Sequence, residues 1–289
     1  MTSTPRKERY LLARRIIQLG VPALFILGYR FDLGIGGREL IQGNLSASRI
    51  LDALPLADPL AVSQLLLTGR IPHADVLWGA LVVILFYWVL GGRAFCSWVC
   101  PVNIIGDSAS WLRARLDIPP GFTLPRQLRY GLLALALFLS ALTGVAAFEW
   151  VSPVGIIQRG LIYGMGLGWL AVAGLFLFDL LVLRHGWCGH MCPLGAFYSL
   201  VGRFSLLRIR FQKDTCTSCG KCHRVCPEPQ VLALKPLAQK GRVLSGNCTN
   251  CARCIEVCPE GSLSFAPRWK TGEELQQPGT KKAGPVRAA

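Results

Sequence analysis

Two copies of one cysteine pattern lie in the last third of the chain and limit what it can fold into. They read CTSCGKCHRVCP, from Cys216 to Pro227, and CTNCARCIEVCP, from Cys248 to Pro259. Three thiolates on one tight loop can bind three irons of a cubane cluster, and the fourth iron then needs a thiolate from elsewhere. The pattern therefore predicts two loops that face each other and exchange one cysteine each.

This spacing is typical of bacterial two-cluster ferredoxins, in which the fourth cysteine of each run binds the other cluster. One predicted 4Fe–4S cluster is held by Cys216, Cys219, Cys222 and Cys258, and the other by Cys248, Cys251, Cys254 and Cys226. Structural zinc is the alternative, but zinc needs neither the third cysteine nor the Cys-Pro in each copy. Disulfides are disfavoured because the cytoplasm keeps thiols reduced.

The residues around the two motifs fit a small α+β ferredoxin-like domain at 212–266. LLRIRF at 206–211 and SLSFA at 262–266 alternate as strands on either side of it, and the insert 228–247 has room for a short strand pair. The remaining segment, 267–289, is polar and rich in glycine and proline, and we expect it to be a disordered tail.

The rest of the chain is too apolar for an ordinary soluble domain. The hydrophobic share is 52% and the charged share only 16%. Long runs with almost no charge predict an α-helical membrane domain at 16–211, with four transmembrane helices in two hairpins. The predicted spans are 16–31, 76–92, 130–148 and 161–183. The first could mimic a signal peptide, but no small-residue cleavage site follows it, so we keep it as a span.

The basic residues predict the orientation of these spans. The net charge is +15, and lysine and arginine are concentrated at 1–15, at 93–129 and after residue 183. Since cytoplasmic loops are enriched in these residues, both termini are predicted to be cytoplasmic, with 1–15 as a basic tail. The chain is therefore expected to cross the bacterial inner membrane several times. A basic chain can also bind nucleic acid, but this distribution fits a lipid bilayer and no nucleic acid.

A weaker motif follows the second and fourth predicted spans. FCSWVCP contains Cys96 and Cys100, and WCGHMCP contains Cys188 and Cys192. Three functions are open for these pairs: a redox dithiol, a metal or cluster site with two thiolates from each hairpin, and a contact surface for a redox partner. Buried packing cysteines are the alternative, but two copies at matched positions favour a function.

Catalytic residues are not evident from the sequence. Asp179 lies within the fourth predicted span, where an acidic residue is a functional candidate by default, although pairing with Arg93 or Arg184 would explain it as well. Glu149 and His73 are weak candidates at the outer edge, and Glu149 could accept protons from a quinol. No pair of histidines is placed to bind haem b, and neither a dinucleotide-binding glycine motif nor a P-loop is present.

The combination of four spans, FCSWVCP, WCGHMCP and the two-cluster module resembles the NapH family. LPLADPL, LFLFDLLV and CHRVCPEP extend the similarity over nearly the whole chain. The resemblance implies a quinol dehydrogenase subunit that passes electrons from the quinol pool towards periplasmic nitrate reductase. It also implies a periplasmic iron–sulfur partner of the NapG type and a tetrahaem partner of the NapC type.

Three rivals share features with this architecture. A copper-handling reductase or oxidase-assembly factor has similar hairpins, but its family carries a further domain after the ferredoxin, where this sequence has only 267–289. A redox sensor would use labile clusters without quinol-dependent reduction. The methylamine-utilisation ferredoxin-type proteins are close in architecture.

Overall fold

The computed structural model describes residues 9–31, 34–35, 38–119 and 124–269. Most of the predicted polar tail at 267–289, and residues 1–8 of the predicted basic tail, lie outside the described residues. The described chain has a helical part, residues 9–202, and a ferredoxin part, residues 207–267.

The first helix, α1, spans Arg9–Phe31 and so begins well before the predicted span at 16. Residues 9–15 are thus helix rather than tail, and Arg14 is only 1% exposed. The reason is a partner: Arg14 and Arg15 both approach the carboxylate of Asp107. Among the described residues, α1 is the one helix both long and apolar enough to cross a membrane by length and composition.

A small antiparallel sheet follows α1. Its strands are β3 (Ile41–Gly43), β4 (Ala47–Ile50) and β5 (Leu54–Ala57), preceded by the two-residue strands β1 (Gly34–Ile35) and β2 (Arg38–Glu39). Asp58 then caps helix α2 (Pro59–Leu67), with proline at its first turn, where the missing N–H costs nothing. β5 runs along the following helix, α3 (Ala74–Leu90). Gly79 of α3 permits this close approach, because a Cβ at that position would lie 3.0 Å from the Pro55 carbonyl.

Shorter apolar helices occupy the other predicted spans. They are α3 (Ala74–Leu90), α6 (Leu128–Thr143) and α9 (Gly168–Leu177), which a π-helix at Phe178–Val182 continues. The predicted span at 130–148 ends early because Gly144 adopts a left-handed cap, with a short α7 (Ala147–Val151) after it. The predicted span at 161–183 is broken, since α8 (Pro153–Tyr163) ends before α9 begins.

Each cysteine pair sits in the same succession of elements. After α3 comes a short helix α4 (Ala94–Trp98), then α5 (Val102–Arg115). After α9 comes a π-helix at Trp187–Met191, then α10 (Pro193–Gly202). The first cysteine of each pair lies in the short element, and the second stands immediately before a proline at the start of the longer helix. The sequence motif is thus also a structural repeat.

The ferredoxin part has the predicted strand pair at its edges. β6 (Leu207–Phe211) pairs antiparallel with β7 (Leu263–Pro267), with Ile209 opposite Phe265. Between them lie short helices: α11 (Lys221–Val225), α12 (Leu234–Lys240) and α13 (Arg253–Val257). The predicted strand pair at 228–247 is wrong: a 3-10 helix at Pro229–Leu232 and α12 fill most of it, and only an isolated bridge joins Arg242 to Arg210. Leu232, in the 3-10 helix, is buried in the core of the ferredoxin part.

Candidate redox site

The two ferredoxin loops have the same backbone conformation. In the first, Ser218 and Gly220 have φ of 54° and 70°, and in the second, Asn250 and Ala252 have φ of 48° and 61°. Left-handed residues at these matched places turn successive N–H groups towards the inside of the loop, as in nests that bind anions and iron–sulfur clusters. The Ser218 N–H donates to Cys216 Sγ at 3.4 Å. The loops therefore fit the cofactor predicted for them.

The thiols are grouped across the two motifs. Burial raises the pKa of Cys226, and the thiols that add to this effect are Cys251 and Cys248 of the other motif. Cys222, correspondingly, interacts with Cys258 and Cys216. Buried thiols of this kind become thiolates only beside a compensating positive charge, which bound iron supplies. The geometry supports the exchange of the fourth cysteine, while the ligand assignment itself stays a prediction.

Within the described ranges, no three His, Cys, Asp or Glu side chains converge closely enough to bind one ion. A cubane cluster is larger than an ion and sets its cysteine sulfurs farther apart.

The second ferredoxin loop is docked on the helical part. Ser97 Oγ donates to the Thr249 carbonyl at 2.7 Å, and the Trp98 indole N–H donates to the Asn250 carbonyl at 3.1 Å. Asn250 in turn donates its side-chain amide to the Leu90 carbonyl at 2.9 Å. Among the described residues, the first loop has no such cover: Cys219 is exposed, whereas Cys251 is buried. One loop thus faces the helices, and the other faces solvent.

A buried carboxylate, Glu228, ties these parts together. It is 2% exposed and lies two residues after Cys226. Its oxygens bind Arg93 at 2.7 Å and Arg129 at 2.9 Å, and Arg126 also contacts it. Burial by itself raises the pKa of Glu228, but these guanidinium groups outweigh that effect and lower it to about 2.

The same arginines reach the second cysteine pair. Arg93 donates to the Cys188 carbonyl at 3.0 Å, and Arg129 donates to the Gly189 carbonyl at 3.2 Å. Arg93 also stands at the start of the short helix that carries Cys96. The Glu228 cluster, meaning Glu228 with Arg93, Arg126 and Arg129, therefore joins both hairpin motifs to the ferredoxin part.

A second buried carboxylate, Asp107 of α5, belongs to the helical part and binds an arginine of the ferredoxin part. It accepts from Arg253 of the ferredoxin part at 2.5 Å and from Arg15 of α1 at 2.8 Å. Arg253 lies between two predicted cluster ligands. Each part of the chain thus supplies one buried carboxylate to arginines of the other, which fixes their relative placement.

The four cysteines of the hairpin motifs converge in one apolar cluster. Cys96, Cys100, Cys188 and Cys192 pack together with aromatic side chains of α3, α4 and α10. Cys192 Sγ accepts from the Gly195 N–H at 3.4 Å, so this thiol caps α10. A small cavity of about 20 Å³ lies between Cys96, Cys188 and Cys251. The hairpin thiols therefore meet the second ferredoxin loop.

Unsatisfied arginine N–H groups mark this junction as a place for negative charge. Among the described residues, Arg14 Nε, Arg93 Nε and both Nε and Nη2 of Arg129 are buried without a hydrogen-bond partner. Arg14 is also one of the side chains around the small cavity. Burial raises the pKa of Cys96, and the neighbouring Arg93 acts against this. Thiolate-bound clusters are anionic, so the donor set fits them.

The weak catalytic candidates separate in the structure. Asp179 is fully buried, and its Oδ1 accepts from the Trp187 N–H at 3.1 Å. The suggested pairing with an arginine is wrong, because Arg93 binds Glu228 and Arg184 donates to a backbone carbonyl at 3.5 Å. Asp179 thus holds the turn that carries the second cysteine pair.

Glu149 and His73 lie away from the thiols. Glu149 is half-buried and accepts from Ser46 Oγ at 2.8 Å. His73 is exposed just before α3, and its side chain makes no capping bond there.

Sequence reasoning missed the two bridging carboxylates and a third buried one, Asp58. Glu228 and Glu260 both follow a Cys-Pro, and nothing in the sequence shows that only the first is buried. The one available signal was the excess of arginine over carboxylate beside the motifs.

Comparison with known proteins agrees with this site. A family model described as a 4Fe-4S binding domain matches residues 73–119 and 165–213, one match for each hairpin motif. A model described as a 4Fe-4S dicluster domain matches residues 208–259.

The chain is 46% identical over 228 residues to the methylamine utilization ferredoxin-type protein MauN of Methylorubrum extorquens, covering 78% of each chain. It is 44% identical over 227 residues to the ferredoxin-type protein NapH of Haemophilus influenzae, covering 78% of this chain and 77% of that protein. With NapH of Escherichia coli it shares 43% identity over 239 residues, covering 82% of each.

The chain belongs to the NapH and MauN family of ferredoxin-type proteins. It is an iron–sulfur protein of electron transport. No solved structure matches it. Sequence similarity thus shows the family. The structure adds how the cysteines of the hairpin motifs meet those of the second ferredoxin loop.

Proposed function

We propose that this protein is a membrane subunit that takes electrons from quinol and passes them towards periplasmic nitrate reductase. The observation that carries the proposal is the junction between the hairpin thiols and the second ferredoxin loop. Cys96 and Cys188 line the same small cavity as Cys251. A redox group in the helical part and one in the ferredoxin part are thereby brought to adjoining positions.

The eight ferredoxin cysteines are the proposed ligands of two 4Fe–4S clusters, with Cys226 and Cys258 exchanged between the motifs. When bound, the clusters supply one-electron acceptors and donors. The second loop is covered by the helices, and the loop with Cys219 is open to solvent. With both termini in the cytoplasm, both clusters would lie on the cytoplasmic side of a bilayer core about 30 Å thick. Electrons bound for a periplasmic acceptor would then have to cross the membrane again, carried by quinone within the bilayer, or the clusters serve another step.

The helical part is proposed to cross the inner membrane four times, with both termini in the cytoplasm. Its apolar helices carry outward-facing large side chains, such as Leu19 (61% exposed), Phe138 (61%) and Leu170 (70%). α3 has 17 residues and α6 has 16. Such helices reach about 25 Å at 1.5 Å per residue, slightly less than the bilayer core of about 30 Å. Modest thinning of the bilayer or flanking side chains would close the gap.

The four hairpin thiols are proposed to act as one unit. Their convergence from two hairpins supports this, as does the match of both hairpins to a 4Fe-4S binding domain. Two uses are compatible with this convergence: a dithiol pair, or a cluster held by all four thiols. Both uses place the redox step beside the Glu228 cluster, where buried arginines compensate negative charge.

The partners are proposed from the resemblance to NapH: a periplasmic iron–sulfur protein of the NapG type and a tetrahaem protein of the NapC type. A second candidate pathway is methylamine utilisation, because identity to MauN, at 46%, is close to that to NapH, at 44%. The chemistry proposed for this chain is the same in both, and only the terminal acceptor or client differs.

The first experiment is anaerobic purification, followed by iron and sulfide counts and addition of a short-chain quinol. We expect about eight irons per chain from two cubanes and quinol-dependent bleaching of the cluster absorbance. Clusters that dithionite reduces but no quinol reduces would refute the quinol function. Complementation then separates the pathways. The chain is expected to restore nitrate respiration to a strain lacking NapH, and growth on methylamine in a strain lacking MauN would favour the second candidate instead.

A further inference from the structure

A cavity among the helices, lined mainly by apolar side chains, is not explained by the thiol junction. Its volume is about 300 Å³, within the range of sites for small ligands. α1, α3 and the small sheet supply most of its walls, through side chains such as Phe25, Leu56 and Val83. Leu24 lines the cavity and is also 46% exposed on α1. An apolar molecule can therefore enter from the side of the helices that faces lipid.

Two carboxylates stand at one end of this cavity. Ser46 contacts both residues: its carbonyl accepts from the backbone N–H of Asp58 at 2.8 Å, and its hydroxyl donates to Glu149 Oε2 at 2.8 Å. Asp58 is 9% exposed and accepts from the Leu60 N–H at 3.3 Å, so its orientation is fixed. Acidic side chains in an otherwise apolar chamber are costly, and their presence calls for a ligand with protons to exchange.

The other end of the cavity is aromatic and adjoins the thiols. Tyr87, Phe95 and Tyr198 pack against one another, with ring centroids 5.2–5.7 Å apart. All three line the cavity, and Phe95 directly precedes Cys96. Val99, which precedes Cys100, lines it too. A ring lying in the cavity would thus reach from the carboxylates to the redox thiols.

The proton affinity of Asp58, at the carboxylate end of the cavity, suits a proton acceptor that works near neutral pH. Burial raises the pKa of Asp58 to about 7, and the negative charge of Glu149 contributes in the same direction. A base with this proton affinity can both take a proton and release it near neutral pH.

We propose that this cavity binds the quinol and that Asp58 and Glu149 accept its two protons. The inference rests on the proposed function, to which it adds the site. Its three features point to the same ligand. The walls select an apolar molecule, the carboxylates select one with two ionisable hydroxyls, and the thiol end selects an electron donor. A lipid acyl chain would leave the two carboxylates buried against hydrocarbon.

The step balances as an ordinary two-electron oxidation. Both quinol O–H bonds break, one proton goes to the Asp58 carboxylate and the other to Glu149, and the ring becomes the quinone. The clusters that the eight ferredoxin cysteines would hold would supply a one-electron acceptor for each of the two electrons, which leave at the thiol end of the cavity.

Direct binding is the first test. An azido-ubiquinone photolabel is added to the cluster-loaded protein, and the labelled peptides are identified by mass spectrometry. Labelling is expected in 41–58 or 149–155 and is expected to be lost in Val83→Phe, which fills the cavity. Val89→Phe is the matched control, because this residue of the same helix is 45% exposed and does not line the cavity.

Quinol-dependent reduction is the second test. Asp58→Asn keeps a helix-capping side chain and Glu149→Gln keeps an acceptor for Ser46, so both variants are expected to fold and to bind the photolabel. Each should slow cluster reduction by decylubiquinol or menadiol by about 10²-fold or more, with dithionite reduction unchanged. Asp75→Asn is the control, a carboxylate of the same region with a 64% exposed side chain that pairs with Arg49.

The outcomes separate the site from the function. If wild-type clusters respond to dithionite but to no quinol, the proposed function is wrong, and this inference falls with it. If wild type is reduced by quinol while Val83→Phe and Asp58→Asn match it, the function stands and the cavity is not the site. Labelling confined to other helices would overturn the assignment in the same way.

Discussion

Replacing Glu228 by glutamine should loosen the ferredoxin part from the helices. The carboxylate is 2% exposed, and the side chains of Arg93 and Arg129, which bind it, are 2% and 0% exposed. Removing one member of a buried ion pair costs about 3–5 kcal/mol, because the remaining charges stay buried and uncompensated. Glutamine can still accept one of the arginine N–H groups, so we expect about 3 kcal/mol, or roughly a hundredfold in the docking equilibrium.

Hydrogen exchange measures this change at the interface itself. In cluster-loaded protein, peptides covering 88–100 and 245–254 should exchange faster in Glu228→Gln, and β6 and β7 should not. Glu260→Gln is the matched control, since this residue follows Cys258 and Pro259 as Glu228 follows Cys226 and Pro227, but is exposed. Arg126→Ala provides a scale. Its side chain is 30% exposed, so its loss should cost less than about 1 kcal/mol.

Iron content distinguishes loosening from loss of a cluster. With iron unchanged, wild-type exchange in Glu228→Gln would show that the Glu228 cluster does not hold the two parts together. An effect of equal size in Glu260→Gln would point to the loops themselves rather than to the interface.

The remaining predictions concern the thiols, the orientation and the pH dependence. Cys226→Ser should abolish the electron paramagnetic resonance signal of the cluster of the second motif and spare that of the first. Cys96→Ser, Cys188→Ser and the double variant should impair quinol-dependent electron flow about equally, because residues acting as a unit show non-additive losses; fully active single variants would reduce the motif to packing. A reporter fused after Ala266 should read as cytoplasmic, and a periplasmic reading would overturn the topology. kcat/KM for quinol should rise with pH and level off above the pKa of Asp58, about 7, since the free carboxylate is the acceptor; Glu149, Tyr87 and Tyr198 are the other titratable side chains around this cavity in the described chain, and an inflection that persists in Asp58→Asn would show that Asp58 is not its source.

The sequence predicted best where covalent spacing decides structure. Both strands flanking the cysteine motifs form as expected, within one residue of their predicted bounds. The matched loops follow from the same spacing, because the cysteines can converge only if Ser218 and Asn250 take the same left-handed turn. Local chemistry was sufficient at these positions.

Prediction was weaker where distant contacts decide. The apolar run at 161–183 was predicted as one span from its hydropathy, although Gly164 and Gly166, both with positive φ, lie at the break between α8 and α9. Arg14 reads as part of a basic tail, and only its proximity to Asp107, far along the chain, makes it a buried residue. The quinol cavity likewise needs Ser46, Asp58 and Glu149 from separate segments, and Glu149 alone was suggested by sequence.

The docking of the second ferredoxin loop on α4 also constrains how the protein is made. With Thr249 and Asn250 bound by side chains of that helix, and Cys251 buried, this loop is less accessible to a scaffold protein that delivers iron and sulfide than the loop with exposed Cys219. We therefore expect delivery to this loop to precede closure of the two parts, whereas the other loop can be loaded afterwards. In cells that synthesise the chain faster than they supply clusters, we expect molecules with the outer site filled and the inner site empty.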